Sequence, residues 1–163
     1  MKKFNDTWKR RVYDWLRRKS FCFPVAYTDG TISRNKDFKS QKKPWGIVFK
    51  GCIIPLFDSP TKLTIEEAQS YCESLRFIGF ECSLPEREWL IQLNKQVHRF
   101  NRLCKALGGH RLHSDYYFSG TAYGDKGYDV VMMDGKEVKN YKYATPEDRV
   151  WVRPIIKMSE LYD

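Results

Sequence analysis

The chain has 163 residues, of which 42% are hydrophobic and 15% aromatic. That length is one domain by the usual ~100–200 residues per domain, the apolar content excludes intrinsic disorder, and no apolar run approaches the ~20 residues a membrane span needs. Lys and Arg outnumber Asp and Glu by 29 to 20, a net +9, with residues 1–20 carrying +6 and the other 143 only +3.

The basic character therefore belongs to an N-terminal arm, residues 1–24, ahead of a nearly balanced body, 25–163. Within the arm Phe4, Trp8, Val12, Trp15 and Leu16 recur at helical spacing, and Pro24 stops any continuation. The expectation is an amphipathic helix with Lys9, Arg10, Arg11, Arg17 and Arg18 on its polar side. Such a helix packs on its own domain or docks on a partner, and the charge asymmetry favours docking. Its acidic partner is a protein surface, an anionic membrane or a nucleic acid; in the last case phosphates would meet the basic residues while Phe4, Trp8 and Trp15 stack. Charge throughout the first 20 residues is unlike an export signal, so the expectation is synthesis in the cytoplasm. The cysteine count is odd at five, with no CxxC pair, which reads as free buried thiols.

Beyond the arm, Asp29-Gly30 signals a hairpin and 34–44 a polar loop. Trp45–Phe49 and Cys52–Ile54 read as strands around Lys50-Gly51, with Pro55 at an edge or an end. Thr64 and Glu67 form a capping box for a helix whose apolar face is Ile65, Ala68, Cys72 and Leu75. Ser83-Leu84-Pro85-Glu86 repeats that pattern for a second helix, running as one piece through Leu93, Val97, Phe100 and Cys104 to Gly108-Gly109.

The last third reads as β. Tyr116–Phe118 is a strand, and residues 120–127 an exposed loop. Tyr128–Met133 and Lys136–Tyr141 form a hairpin around Asp134-Gly135. In a final strand Val150 and Val152 alternate with Arg149, Trp151 and Arg153. Strands, two helices, then strands make an α+β fold with segregated helices and a mostly antiparallel sheet.

Five motifs in order resemble the C-type-lectin-like fold in its bacterial and phage branch. They are Tyr71-Cys72-Glu73-Ser74-Leu75, Ser83–Leu90, Tyr116–Thr121, Tyr128-Asp129-Val130-Val131 with Asp134-Gly135, and Arg149–Pro154. That branch includes formylglycine-generating-enzyme-like domains and the variable proteins of diversity-generating retroelements, in Bacteroides-type bacteria and their tailed phages. The resemblance covers residues 25–157 and implies a C-type-lectin-like body behind the N-terminal helix.

The chemistry of those relatives is not carried over. None of the sugar-binding triplets Glu-Pro-Asn, Gln-Pro-Asp or Trp-Asn-Asp occurs, and no Asp/Asn cluster supplies the ~6–8 oxygens calcium requires. The last cysteine is Cys104, so a C-terminal reactive cysteine pair is missing. His110 and His113 read as a polar loop after a helix, not as metal ligands, and Cys104 as an inert buried thiol. The expectation is a non-enzymatic protein with no metal and no cofactor. Tyrosines suit recognition because they are rigid and amphipathic, so Tyr116, Tyr117, Tyr123 and Tyr128 with Asp125 and Lys126 are the expected ligand-binding residues.

A recognition fold without an export signal suits a phage virion protein, made in the host cytoplasm and released by lysis. The arm would hold it, as an oligomer, to other virion proteins, leaving the body to touch host-surface glycans. The alternatives are a ligand-binding protein of the bacterial cytoplasm or one that is secreted, retroelement-diversified binders included, or nonspecific nucleic-acid binding through residues 1–20.

Overall fold

The computed structural model describes residues 23–33 and 43–162. The predicted arm helix and most of the 34–44 loop lie outside the described residues. The fold is mixed α+β with antiparallel sheets. A five-stranded sheet of order β10-β4-β3-β1-β2 is made by β1 (Val25–Tyr27), β2 (Ile32–Ser33), β3 (Pro44–Phe49), β4 (Cys52–Pro55) and β10 (Ile156–Lys157). A small hairpin joins β5 (Arg76–Phe77) to β6 (Phe80–Glu81). A three-stranded sheet runs β7 (Tyr116–Tyr123), β8 (Gly127–Met132), β9 (Lys142–Ala144). The helices are α1 (Ile65–Ser74), α2 (Arg87–Lys95), α3 (Val97–Ala106) and the short α4 (Met158–Tyr162). No helix among the described residues is long and apolar enough to cross a membrane.

The larger sheet is buried on both faces, and strand alternation divides its side chains between two clusters. Val25, Ile47, Phe49, Cys52 and Ile54 pack with Leu90, Leu93, Val97 and Phe100 of α2 and α3. Ala26, Val48 and Ile53 pack with Ile65, Ala68 and Cys72 of α1. Tyr117 and Val131 enter the first cluster and Phe118 and Val130 the second, so β7 and β8 contribute to both. Gly46 sits where β3 crosses β4: a Cβ there would lie 2.4 Å from the Ile54 carbonyl oxygen.

Local signals give their expected elements where the partner is near in sequence. The Asp29-Gly30 turn joins β1 to β2, with the Gly30 N–H donating to the Tyr27 carbonyl. Thr64 caps α1 by accepting the Glu67 N–H, and its hydroxyl donates to the Glu67 carboxylate. Pro55 does end β4, past the two residues of that strand that β10 reaches.

Four expectations are corrected. The helix predicted from Ser83 starts at Arg87, because Ser83 is held in a two-way backbone bridge to Ile155. It also divides at Gln96, whose φ of −114° and ψ of 11° are not helical. The exposed loop over 120–127 is mostly strand: β7 runs to Tyr123, with an irregularity in register between Phe118 and Ala122. Lys136–Tyr141 does not return as a hairpin strand. The buried Asn94 side chain takes the Gly135 N–H and donates to the Lys136 carbonyl, drawing that segment toward α2 while β9 pairs with β8 instead. Finally, the segment 149–153 is bound by isolated bridges, Val150 to Leu63 and Trp151 to Tyr117, and Arg153 points inward with 1% of its surface exposed.

Two outcomes follow from this packing. Gly46→Ala forces β3 away from β4 and is expected to cost about 1–3 kcal/mol in urea denaturation, as overpacking generally does. Burial pushes the Cys72 and Cys82 thiols up to about 12 and Cys104 up to about 11 from 9.0. A thiol whose folded pKa is raised contributes stability in full below its unfolded pKa and loses it as pH rises through the folded value. The urea midpoint should therefore show no thiol-linked loss from pH 7 to 8, then decline above 9.0 and on toward 12. In a Cys22→Ser background, a thiol reagent at pH 8 should label the chain only as it unfolds.

Candidate functional site

Two groups of polar and aromatic side chains stand out. The first is at the exposed end of the β7–β8–β9 sheet, on the face that further along carries Tyr117 and Val131 into the core. In the strand register Tyr123 lies opposite Gly127 and Tyr143 opposite Asp129, so these four residues share one face. Gly127 has no side chain to block the diagonal, and a Cβ there would lie 1.9 Å from the Ala144 carbonyl. Tyr123 and Tyr143 stack across β8 with ring centroids 4.5 Å apart and planes 9° from parallel.

Beside them Asp129 is fully buried, yet only one of its two carboxylate oxygens accepts a hydrogen bond. Its Oδ2 accepts from Arg87 Nη1 at 2.9 Å, while its Oδ1 has no partner. Arg87 is the first residue of α2. Its guanidinium also binds the Glu88 carboxylate and lies 3.9 Å from the Tyr141 ring centroid. The Glu88 hydrogen bond, then Asp129, hold its pKa above the ordinary arginine value. Its position is set from the sheet: the Arg87 N–H donates to Thr121 Oγ1, the Thr121 N–H to Ser119 Oγ, and the Ser119 hydroxyl to the Asp129 carbonyl. The result is three tyrosine rings, half or more exposed in the case of Tyr141, around a guanidinium seated over a buried carboxylate.

The expected ligand residues divide between the exposed end of this sheet and its buried part. Tyr123 is at the exposed end, and Asp125 and Lys126 are exposed at the β7–β8 turn. Tyr116 and Tyr128 pack partly buried against the core, and Tyr117 is wholly inside it. Tyrosine content points to this region, Tyr141 and Tyr143 included, but not to Arg87 or Asp129. Asp129 in an otherwise apolar strand, Tyr-Asp-Val-Val-Met, was the available signal. The expected arm residues, from Phe4 to Arg18, lie outside the described residues.

The second group is internal. Arg153 Nε donates to Asp58 Oδ1, its Nη1 to the Pro55 carbonyl at 2.8 Å and its Nη2 to the His110 carbonyl at 2.8 Å. Asp58 Oδ2 accepts from the Tyr117 hydroxyl at 2.6 Å and meets His113 Nδ1 at 2.8 Å. Burial opposes charge on Arg153, but the adjacent Asp58 carboxylate outweighs it and leaves the arginine pKa raised. Burial, then the same carboxylate, push the Tyr117 phenol up. The His113 ring stacks on Trp151 at 3.9 Å, and the His110 ring packs edge-on to Phe57. The two histidines thus serve different neighbours, and among the described residues no three His, Cys, Asp or Glu side chains group as metal ligands.

Two surface clefts, of about 390 and 410 Å³, lie elsewhere. The first is lined by Cys52, Glu86, Trp89, Lys157 and Met158; Lys157 pairs with Glu86 at 3.5 Å, and burial pushes the Cys52 thiol up. The second, lined by Asn94, Lys95, Lys136 and Glu137, holds no nucleophile. Comparison with protein-family models, with curated proteins and with solved structures finds no match.

Removing one partner of a buried ion pair leaves the other uncompensated, which costs about 3–5 kcal/mol. Asp58→Ala should lose that much stability in urea denaturation, whereas His113→Ala, at a ring with 47% of its side chain exposed, should lose about 1 kcal/mol or less.

Proposed function

We propose that this chain is a non-enzymatic binding protein whose recognition surface is the tyrosine–arginine face of the β7–β8–β9 sheet. The observation that carries the reading is the Tyr123–Tyr143 stack beside Tyr141 and Arg87, above the unpartnered Asp129 Oδ1. Exposed aromatic rings held rigid by a sheet bind at low entropic cost, and tyrosine and arginine dominate the energetics of many interfaces. A stacked ring offers a flat apolar surface to another ring, and the neighbouring guanidinium and phenol hydroxyls offer hydrogen bonds. That combination suits a hydroxyl-bearing ligand such as a host-surface glycan.

In this reading the body is C-type-lectin-like. Support comes from the order of elements, two helical regions between sheets, and from a closing strand that returns to pair with β4. The arm, with its aromatic stripe and +6 charge, holds the body to a phage particle through other virion proteins.

Two measurements test these parts separately. Mass spectrometry of purified particles alongside the soluble lysate should find the chain in particles at a fixed ratio to the capsid protein; presence in the soluble fraction alone overturns the virion assignment. On a glycan array, Tyr141→Ala with Tyr143→Ala should reduce any binding about tenfold or more. The melting temperature should stay close to that of the parent, because both rings are on the surface. Unchanged binding in that variant rules out this face.

A further inference from the structure

Between Trp89 and Ser114 the sequence holds Lys95, Arg99, Arg102, Lys105 and Arg111 and no Asp or Glu. This one stretch carries +5, more than the +3 of the whole chain beyond residue 20. The structure explains how the charges are gathered. Val97, Phe100, Leu103, Cys104 and Ala106 are the buried positions of α3, which leaves 98, 99, 102 and 105 on its outer side. His98, Arg102 and Lys105 follow one another at steps of four and three, which places them in one stripe. That stripe is about 10 Å long at 1.5 Å per residue, and Lys95 stands just before it at the end of α2.

Cations elsewhere on the body are commonly paired: Lys62 with Asp115, Arg76 with Glu81, Arg149 with Glu67 and Lys157 with Glu86. On this surface Lys95, Arg102 and Lys105 are exposed and meet no carboxylate among the described residues, while Arg99 leans on the Gln96 side-chain carbonyl. Unpaired like charges at helical spacing repel one another. A row of phosphates removes that repulsion and releases its own counterions on contact.

We infer that the outer face of α3, with Lys95, is a binding surface for the phosphate backbone of duplex nucleic acid, independent of the arm and of the tyrosine face. Charge complementarity identifies a polyanion, and the apolar surface decides which one. Among the described residues the exposed large hydrophobics are Phe57, Ile78, Phe80, Tyr123, Tyr141 and Tyr143, none of them on α3. Interfacial helices need an apolar side to enter a membrane, and binding of single strands draws on aromatic rings that stack bases. A purely basic face has neither, and contacts to phosphate carry no sequence information. Binding here is therefore sequence-independent and sensitive to salt.

The test uses the full chain and a fluorescently labelled 20-base-pair duplex, with anisotropy read between 50 and 200 mM salt. Lys95→Ala, Arg102→Ala and Lys105→Ala are combined in one variant. A second variant replaces Lys9, Arg10, Arg11, Arg17 and Arg18 by alanine, and each is checked by its melting temperature. The slope of log affinity against log salt should fall by about 2–3 in the α3 variant, since each phosphate contact contributes about 0.9. The loss should be the same for duplexes of different sequence, and the arm variant should retain measurable binding. The inference is overturned if the α3 variant keeps the parental affinity and slope. It is equally overturned if the chain fails to bind duplex at 50 mM salt, or binds phosphatidylserine vesicles in preference to duplex. Because glycan binding is read at the tyrosine face, failure here leaves that reading untouched.

Discussion

The Asp58–Arg153 pair is the contact on which the remaining arrangement depends. Asp58 follows β4, and Arg153 lies just before β10. Through Arg153 the pair reaches the Pro55 and His110 carbonyls, and through Asp58 it reaches Tyr117 and His113. Four separate stretches of chain therefore converge on one guanidinium and one carboxylate. Charges taken out of water return their desolvation cost only if nearly every donor and acceptor is matched. That requirement fixes where β7, the end of α3 and the closing segment must sit, more tightly than packing of apolar side chains does.

A similar logic holds the tyrosine face. The first N–H groups of a helix lack partners within it. α2 finds one in Thr121, 34 residues along the chain in β7, not in a side chain of its own. The same strand supplies Ser119, which ties β7 to the Asp129 backbone, and Asp129 then meets Arg87. Helix start, strand irregularity and buried acid are thus one connected system. The aromatic rings above it rest on a base whose geometry is set by hydrogen bonds rather than by loop conformation. The unpartnered Oδ1 is the one exception in that base, and burying an acceptor without a donor costs about 1–3 kcal/mol.

What the sequence made legible follows from how far apart the determining residues are. Asp29-Gly30 and the Thr64–Glu67 box act within a few residues, and both produced the elements they signal. The glycines after α3 closed it as expected, with the Gly109 N–H donating to the Cys104 carbonyl. The second helix was misread because Ser83, a good cap in isolation, is occupied by Ile155, and because nothing at Gln96 announces a break. Lys136–Tyr141 alternates well enough to be a strand, but Asn94 intercepts its first residues. Arg153 sits in an alternating run that assigns it to solvent; only Asp58, 95 residues away, makes its burial tolerable. On the candidate site, tyrosine content drew the eye to the right sheet, yet a tyrosine count cannot separate Tyr117 inside from Tyr123 outside. Position along the strand does: by register both lie on one face, Tyr117 in the core and Tyr123 at the exposed end.

The pairing of β10 with β4 has a consequence for the order in which the chain can fold. Ile156 pairs with Ile53, and Arg153 with Asp58, so the closing contacts span about a hundred residues. Contacts of that separation delay folding, because loop-closure entropy is lost before they form. During synthesis β3 and β4 can pair early, but the sheet has an open edge and Asp58 an unmatched charge until residue 157 has emerged from the ribosome. The unfinished sheet therefore stays open to chaperones and proteases until the segment around Arg153 and Ile156 is free to close it.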